Sequence, residues 1–268
     1  MDSDNRNGKE LFDLNSTSAR TLQILSLLSQ ADQPMTLTQI SEMLSAPVSS
    51  TCNIISTMLK LGFVRLSDPK MKTYTIGIKA YEAGIAYIKN TNFVGVAKPF
   101  LEKMSRESET TTFLGVQNGA RIVYLDKVES SKSVRTTAVL GSYKGMYFTG
   151  LGKAILASMP DKAVEDMYYG SVFQAYTENT ICDIERLKDD LQQTRERGYA
   201  IDDREGEISL YCIAAPVRNH AGKVIAAVSI ASFYDLLTEE SRKKNADILV
   251  SNAVEISRLL GYSGTLLY

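Results

Sequence analysis

Between Thr36 and Thr75 the spacing of apolar residues changes from a helical period to a strand period. Ile40 and Leu44 repeat at i, i+4 behind Thr36, a side chain suited to an N-cap, and predict a short helix. Pro47 cannot continue that helix but fits the first turn of another. Along this second helix Thr51, Ile54, Ile55, Met58 and Leu61 fall at helical spacing and are expected to face a core, leaving Ser49, Ser50, Asn53, Ser56, Thr57 and Lys60 outside. Gly62 is placed to end it. Phe63 to Leu66 and Tyr74 to Ile76 alternate like two strands around the turn-forming Ser67-Asp68-Pro69-Lys70. Helix, turn, helix and ribbon make a winged helix-turn-helix, a mainly α domain that lays its second helix in the DNA major groove.

On either side the pattern continues. Residues 1–15 are polar without a sustained period and read as a flexible N-terminal arm. A helix comes next, from Ser16 or Thr17, with Ala19, Leu22, Leu25 and Leu28 facing in and Ile24 and Leu27 widening the stripe. The winged domain thus spans 16–76. Residues 77–92 form a helix with two apolar faces, either a linker that packs against a second copy or a helix of the second domain. From 93 to 268 strands and helices alternate. Val96–Glu107 is helical. Thr111–Val116 and Arg121–Val128 form a hairpin around Asn118-Gly119, and Ser133–Leu140 is a third strand. Helices are expected at Leu151–Ser158, Lys162–Tyr169 and Ile184–Arg197, then a short strand at Tyr199–Asp202. A second hairpin runs from Ser209 to Ser232, and a last helix from Thr238 to Leu260. Antiparallel strands with inserted helices predict an α+β domain, not a doubly wound sheet.

Composition alters this picture little. The 268 residues are 44% hydrophobic and 23% charged, with a net charge of −1 and a pI near 6.0. A local patch therefore has to serve any nucleic acid. Between Pro47 and Lys79 stand five basic residues (Lys60, Arg65, Lys70, Lys72, Lys79) and one acid, Asp68. Three of the cations lie on the ribbon, where they could meet phosphates. The outer face of the second helix is nearly uncharged. Cys52, Cys182 and Cys212 form no CxxC pair, and no apolar run approaches the roughly 20 residues that cross a bilayer. A cytoplasmic chain with free thiols, away from membranes, is the expectation.

Candidate chemistry is sparse. The single histidine, His220, lies in a turn, which leaves no histidine-dependent triad and no zinc set. Gly150-Leu151-Gly152-Lys153-Ala154-Ile155 fails the dinucleotide fingerprint at Ile155. It fails the P-loop at Tyr147 and Ala154. No enzyme, metal or cofactor is expected. Thr149-Gly150-Leu151-Gly152 opens a helix, whose free N–H groups can hold a small anion; taken alone, a helix start with a glycine for close packing is the preferred explanation. Asp202, Cys212 and Ser229 form a second group, on strand segments.

Five stretches, LTQISEMLSAPVSSTCNIISTMLKLGFV, RIVYLDKVES, TGLGKAILASMP, RERGYAIDDREGEI and CIAAPVRNHAGKVIAAVSIAS, occur in the order that resembles the IclR family of bacterial transcription regulators. The likeness runs from about Ser18 to Gly261. It implies a two-domain protein, an N-terminal winged helix-turn-helix and a C-terminal α+β effector-binding domain of GAF-like fold. It also implies a homodimer or homotetramer on a palindromic double-stranded operator, acting as repressor or activator under a small effector, often a carboxylate. Carried over by position, the effector would meet the backbone at Gly150 and Leu151 and the side chains of Asp202, Cys212 and Ser229. Ala231 replaces a second serine, and Tyr147 and Phe148 stand near the place of a usual histidine. DNA contacts fall to Thr36, Ser49, Ser50, Asn53 and Thr57, and on the wing to Arg65, Lys70 and Lys72. Val48, Cys52 and Asn53 occupy positions that are often basic or histidine in such proteins, so the operator sequence does not transfer. The expected function is sequence-specific transcriptional regulation under an organic acid, of a catabolic operon; the alternatives are a sensor module without DNA binding and, further off, a small-molecule enzyme.

Overall fold

A computed structural model describes residues 15–90, 92–129 and 139–268, with side chains omitted at 85–90 and 92. The expected N-terminal arm, apart from Asn15, lies outside the described residues. The chain divides into two compact units, the first ending at Asn90.

In the first unit α1 (Ser16–Gln30), α2 (Leu37–Met43) and α3 (Val48–Lys60) surround a core of Ile24, Leu28, Ile40, Ile54, Ile55, Met58 and Val64. Thr36 caps α2 in a capping box: its Oγ accepts from Gln39 N while the Gln39 side chain accepts from Thr36 N. Gly62 takes φ +78° just past α3, and the chain turns into β2 (Val64–Asp68) and β3 (Thr73–Ile76). At their turn the Asp68 carboxylate accepts from Lys70 N and Met71 N. A two-residue strand β1 (Met35–Thr36) pairs with β3 and completes a three-stranded wing; two residues show no alternation, so periodicity cannot find it. Two inward expectations fail. Leu22 is 65% and Leu61 60% exposed. Leu22 lies about 200° round α1 from Ile24, and Leu61 comes after the last turn of α3. The next helix is α4 (Ile78–Asn90), with Ile78 and Tyr81 exposed.

The second unit is a six-stranded antiparallel sheet between helices. β4 (Thr111–Asn118) and β5 (Arg121–Val128) form the first hairpin, and β6 (Tyr143–Gly145) pairs with β5. Next come α6 (Gly150–Leu156), α7 (Asp161–Tyr168) and α8 (Ile184–Arg197), then β7 (Ala200–Asp203), β8 (Leu210–Arg218) and β9 (Val224–Phe233). The strand order is β6-β5-β4-β9-β8-β7. One face, with Phe113, Ile122, Tyr124, Ala214, Ala227 and Ala231, packs on α6, α7 and α8. The other, with Leu114, Val116, Ile213, Val217, Val228 and Ile230, packs on α5 (Asn92–Ser108) and α9 (Glu239–Leu259). Alternation along each strand sorts the two sets. Of the predicted strand Ser133–Leu140, positions 133–138 lie outside the described residues and Val139 and Leu140 are not strand. The strand that pairs there is β6, too short at three residues to show a period. Among the described residues no helix is long and apolar enough to cross a membrane.

Candidate functional site

Asp202, Cys212, Ala231 and Ser229 come together because the register of three strands sets them on one face. Asp202 is opposite Cys212, Cys212 opposite Ala231, and Ala214 in the next row opposite Ser229. Helix α6 lies over these rows. Its N-cap Thr149 accepts from Gly152 N, which leaves the N–H groups of Gly150 and Leu151 at the open end. A Cβ on Gly152 would stand 2.2 Å from the Met146 backbone, so this glycine is fixed by packing. One on Gly150 would make only ordinary contacts with Ala214 and Cys212.

The space enclosed is a cavity of about 40 Å³, lined by Gly150, Leu151, Asp202, Cys212, Ser229 and Ala231 together with Phe113, Tyr124, Thr149, Lys144, Gly206, Glu207 and Leu210. This is room for water-sized molecules, and an organic acid needs its walls to move outward. Ser229 is buried, and its hydroxyl has no hydrogen-bond partner among the described residues. Lys144 on β6 and Glu207 after β7 form an ion pair of 2.8 Å, each side chain about 30% exposed, on the cavity wall. Six of the eight effector positions read from the sequence therefore line one cavity. Tyr147 and Phe148 do not. They line a separate cleft that shares Lys144, Gly206 and Glu207, and the Tyr147 hydroxyl is engaged by the Gln174 backbone.

Sequence reading missed the charges behind the cavity. Lys153, fully buried on α6, pairs with Glu205 at 2.5 Å and Asp190 at 3.0 Å. Burial works against its charge, but the two carboxylates outweigh this and hold its pKa above the ordinary lysine value. Asp202 accepts from Glu205 N at 2.8 Å. Burial, and then the Glu205 carboxylate, push Asp202 up from 3.8 to about 7, against the pull of Lys153 and the backbone amides. Asp202 therefore changes charge near neutral pH. Tyr124 and Glu207 stand inside two of the matching stretches and Lys144 outside all of them, but only the fold brings the three to one cavity.

On α3, Ser49, Cys52, Asn53, Ser56, Thr57 and Lys60 are exposed or nearly so, and Ser50 is half-buried. Ser50 Oγ donates to Pro47 O and Thr57 Oγ to Asn53 O, which leaves these hydroxyls acceptor capacity only. Thr36 Oγ is engaged in the cap. Arg65, Lys70 and Lys72 lie on the wing, Lys72 with φ +50° in the tight turn. Asn53 and Thr57 also border an apolar groove of about 400 Å³ with Leu22, Leu25, Leu61 and Phe63.

A winged helix-turn-helix and a sheet domain with a polar cavity, in one chain, define a ligand-controlled DNA-binding regulator. Residues 17–68 match the IclR helix-turn-helix domain and residues 85–258 the bacterial transcriptional regulator IclR C-terminal domain. The chain belongs to the IclR family of bacterial transcriptional regulators, proteins that are not enzymes. It is 30% identical to the HTH-type transcriptional repressor AllR of Escherichia coli over 90% of this chain and 89% of that one. The crystal structure of Thermotoga maritima IclR superposes with a TM-score of 0.73 at 32% identity, covering 92% of this chain and 99% of that one. An IclR homologue of Microbacterium hydrocarbonoxydans, complexed with 4-hydroxybenzoate, shares the fold (TM-score 0.78, 20% identity, 91% and 99% covered).

Proposed function

We propose that this regulator binds a palindromic operator as a homodimer or homotetramer and is switched by a small organic acid held in the cavity under α6. The observation that carries the reading is the set of polar groups converging there: the Gly150 and Leu151 amides at the helix start, the Ser229 hydroxyl, which has no partner among the described residues, and the buried Asp202 carboxyl. The acid's carboxylate lies against the two amides, with Ser229 donating from the facing strand. Asp202 takes the far end. Ionised, it accepts from a hydroxyl, and protonated it no longer repels the ligand's charge. Hydroxy-acids and sugar acids fit this pairing better than dicarboxylates. Ala231 leaves room where a hydroxyl would otherwise stand. That a protein of the same fold is complexed with 4-hydroxybenzoate supports a small hydroxylated acid as the class.

On the DNA side, Asn53 is the exposed α3 side chain suited to paired hydrogen bonds with an adenine edge. Ser49, Ser50 and Thr57 supply oxygens around it, Thr36 fixes the start of α2, and Arg65, Lys70 and Lys72 meet phosphates. Two copies would place two such helices one helical turn apart, which is why the operator is expected to be palindromic. An effector that favours one arrangement of the copies shifts operator affinity by its differential binding. The protein then works in the cytoplasm, on a catabolic operon. Calorimetry with hydroxy-acids, sugar acids and aromatic acids tests the reading on wild type, Ser229→Ala and Asp202→Ala. At least one acid should bind wild type and lose affinity in both variants. Identical binding in all three proteins would place the effector elsewhere.

A further inference from the structure

Beside the small cavity, on the other side of Lys144, Gly206 and Glu207, lies a cleft of about 670 Å³. Its volume falls within the range of about 300–1,000 Å³ that sites for organic ligands occupy. Its walls are aromatic. Tyr147 packs edge-on against Phe148 and Phe173, each at 4.9 Å between ring centres, and Tyr168 lies 5.1 Å from Phe173. Phe148 and Tyr176 lie at 4.3 Å with their planes tilted by 34°, and Tyr176 is 49% exposed, so one aromatic surface stays open. Rings set edge to face in this way offer a further ring both edges and faces.

One polar feature shows that the cleft is more than a gap between rings. Arg121 lies at its border with its guanidinium 4.2 Å from the centre of the Tyr143 ring, and no carboxylate pairs with it among the described residues. A guanidinium with no carboxylate partner among the described residues, beside a bed of rings, is complementary to one ligand class: a flat aromatic body carrying a carboxylate.

We infer that this cleft is a second ligand site, separate from the cavity under α6, and that it takes an aromatic carboxylate. The carboxylate pairs with Arg121, whose planar fork suits it, while the ring system lies among Tyr147, Phe148, Phe173 and Tyr176. The inner cavity, at about 40 Å³, is too small for such a body, whereas the cleft admits it without rearrangement of the sheet. Because the two spaces share the Lys144–Glu207 pair, occupancy of the cleft bears directly on the wall of the inner site.

Calorimetry on the full chain tests this with 2-naphthoate, its neutral amide and the non-aromatic cyclohexanecarboxylate. Wild type should bind 2-naphthoate about tenfold or more tightly than either comparator, the ratio expected for a charge-assisted contact added to stacking. Arg121→Gln and Tyr176→Ala, both at exposed positions, should each weaken 2-naphthoate about tenfold, whereas Ser229→Ala should leave it unchanged. Equal binding of the three compounds, or none, overturns the inference. So does 2-naphthoate binding that survives Arg121→Gln and Tyr176→Ala but fails in Ser229→Ala. That last outcome puts aromatic acids in the inner cavity and leaves the proposed effector site standing, so the two readings fail separately.

Discussion

The outer face of α3 and the cavity under α6 carry their proposed ligands in opposite ways. The α3 face is exposed, almost without charge, and several of its hydroxyls already donate within the helix. The cavity lies against buried charge and keeps a hydroxyl and two amides without partners among the described residues. An exposed polar group is solvated whether or not it has a function, so its position alone says little. A buried polar group without a partner is costly, and its persistence points to something that answers it. In the proposed reading the wing cations meet phosphates and a few neutral side chains of α3 read bases. The second unit backs its cavity with a buried lysine and its two carboxylates.

The contrast is broken most severely at Lys153. Lys153→Met leaves Glu205 and Asp190 beside an apolar side chain. A loss of about 3–5 kcal/mol is expected for removing one partner of a buried pair, read as a lower melting transition by calorimetry. Because the lysine is far from α3 in sequence and belongs to the other unit, far-ultraviolet signal from the winged domain should persist after the second unit has melted. A melting point equal to wild type would mean that water or motion compensates the charges.

Next in size is Asn53→Ala, expected to cost about 1–3 kcal/mol on an operator selected from random duplexes, with non-specific DNA nearly unaffected. Equal losses on both DNAs would give Asn53 a positioning role, in keeping with its place beside the apolar groove. By contrast, Lys70→Ala with Lys72→Ala should weaken all sequences alike and lower the slope of log affinity against log salt by about two, near one per phosphate contact. An unchanged slope would remove the wing from the phosphates.

A smaller effect sharpens the account of the cavity. Asp202 is raised to about 7 by burial and by Glu205. A carboxyl raised in the folded state gives its full stabilisation below its unfolded value, and loses it as pH rises toward the folded one, here between about 4 and 7. Asp202→Asn keeps the acceptor for Glu205 N and removes the charge. It should therefore raise the melting temperature more at pH 8 than at pH 5. For the same reason, a carboxylate ligand should bind wild type more tightly at pH 6 than at pH 8, and the variant with little pH dependence. A flat profile in wild type would mean that Asp202 stays ionised through this range.

Much of the architecture is legible in the sequence because periodicity is strong where an element has one wet face: α2, α3, α8 and the β4–β5 hairpin all stand near their expected positions. β1 and β6, two and three residues long, are held by pairing and carry no periodic signal of their own. Leu22 and Leu61 mislead because an apolar residue in a helix is expected to lie inward, whereas α1 and α3 already fill their core with Ile24, Leu28, Ile54 and Met58. In the cavity, Gly150 stands out as a helix start and Asp202, Cys212 and Ser229 as polar groups on strands, and family resemblance joins them into one site. Lys153 stands in the same stretch as Gly150, yet its role depends on Glu205 and Asp190, 52 and 37 positions further on, and distance in sequence hides such a cluster. Tyr147 and Phe148 are near Gly150 along the chain, but their rings line the adjacent cleft.

The central claim is that occupancy of the cavity controls the grip on DNA. It is tested most directly by fluorescence anisotropy on the selected operator, titrated with the tightest acid found by calorimetry, for wild type and Ser229→Ala. Without the acid the two proteins should bind the operator equally. With it, wild type should change affinity about 5-fold or more, the usual span of allosteric coupling, while Ser229→Ala should respond only at much higher concentration. A wild-type operator affinity that stays constant at saturating acid, or a Ser229→Ala response identical to wild type, would contradict the account.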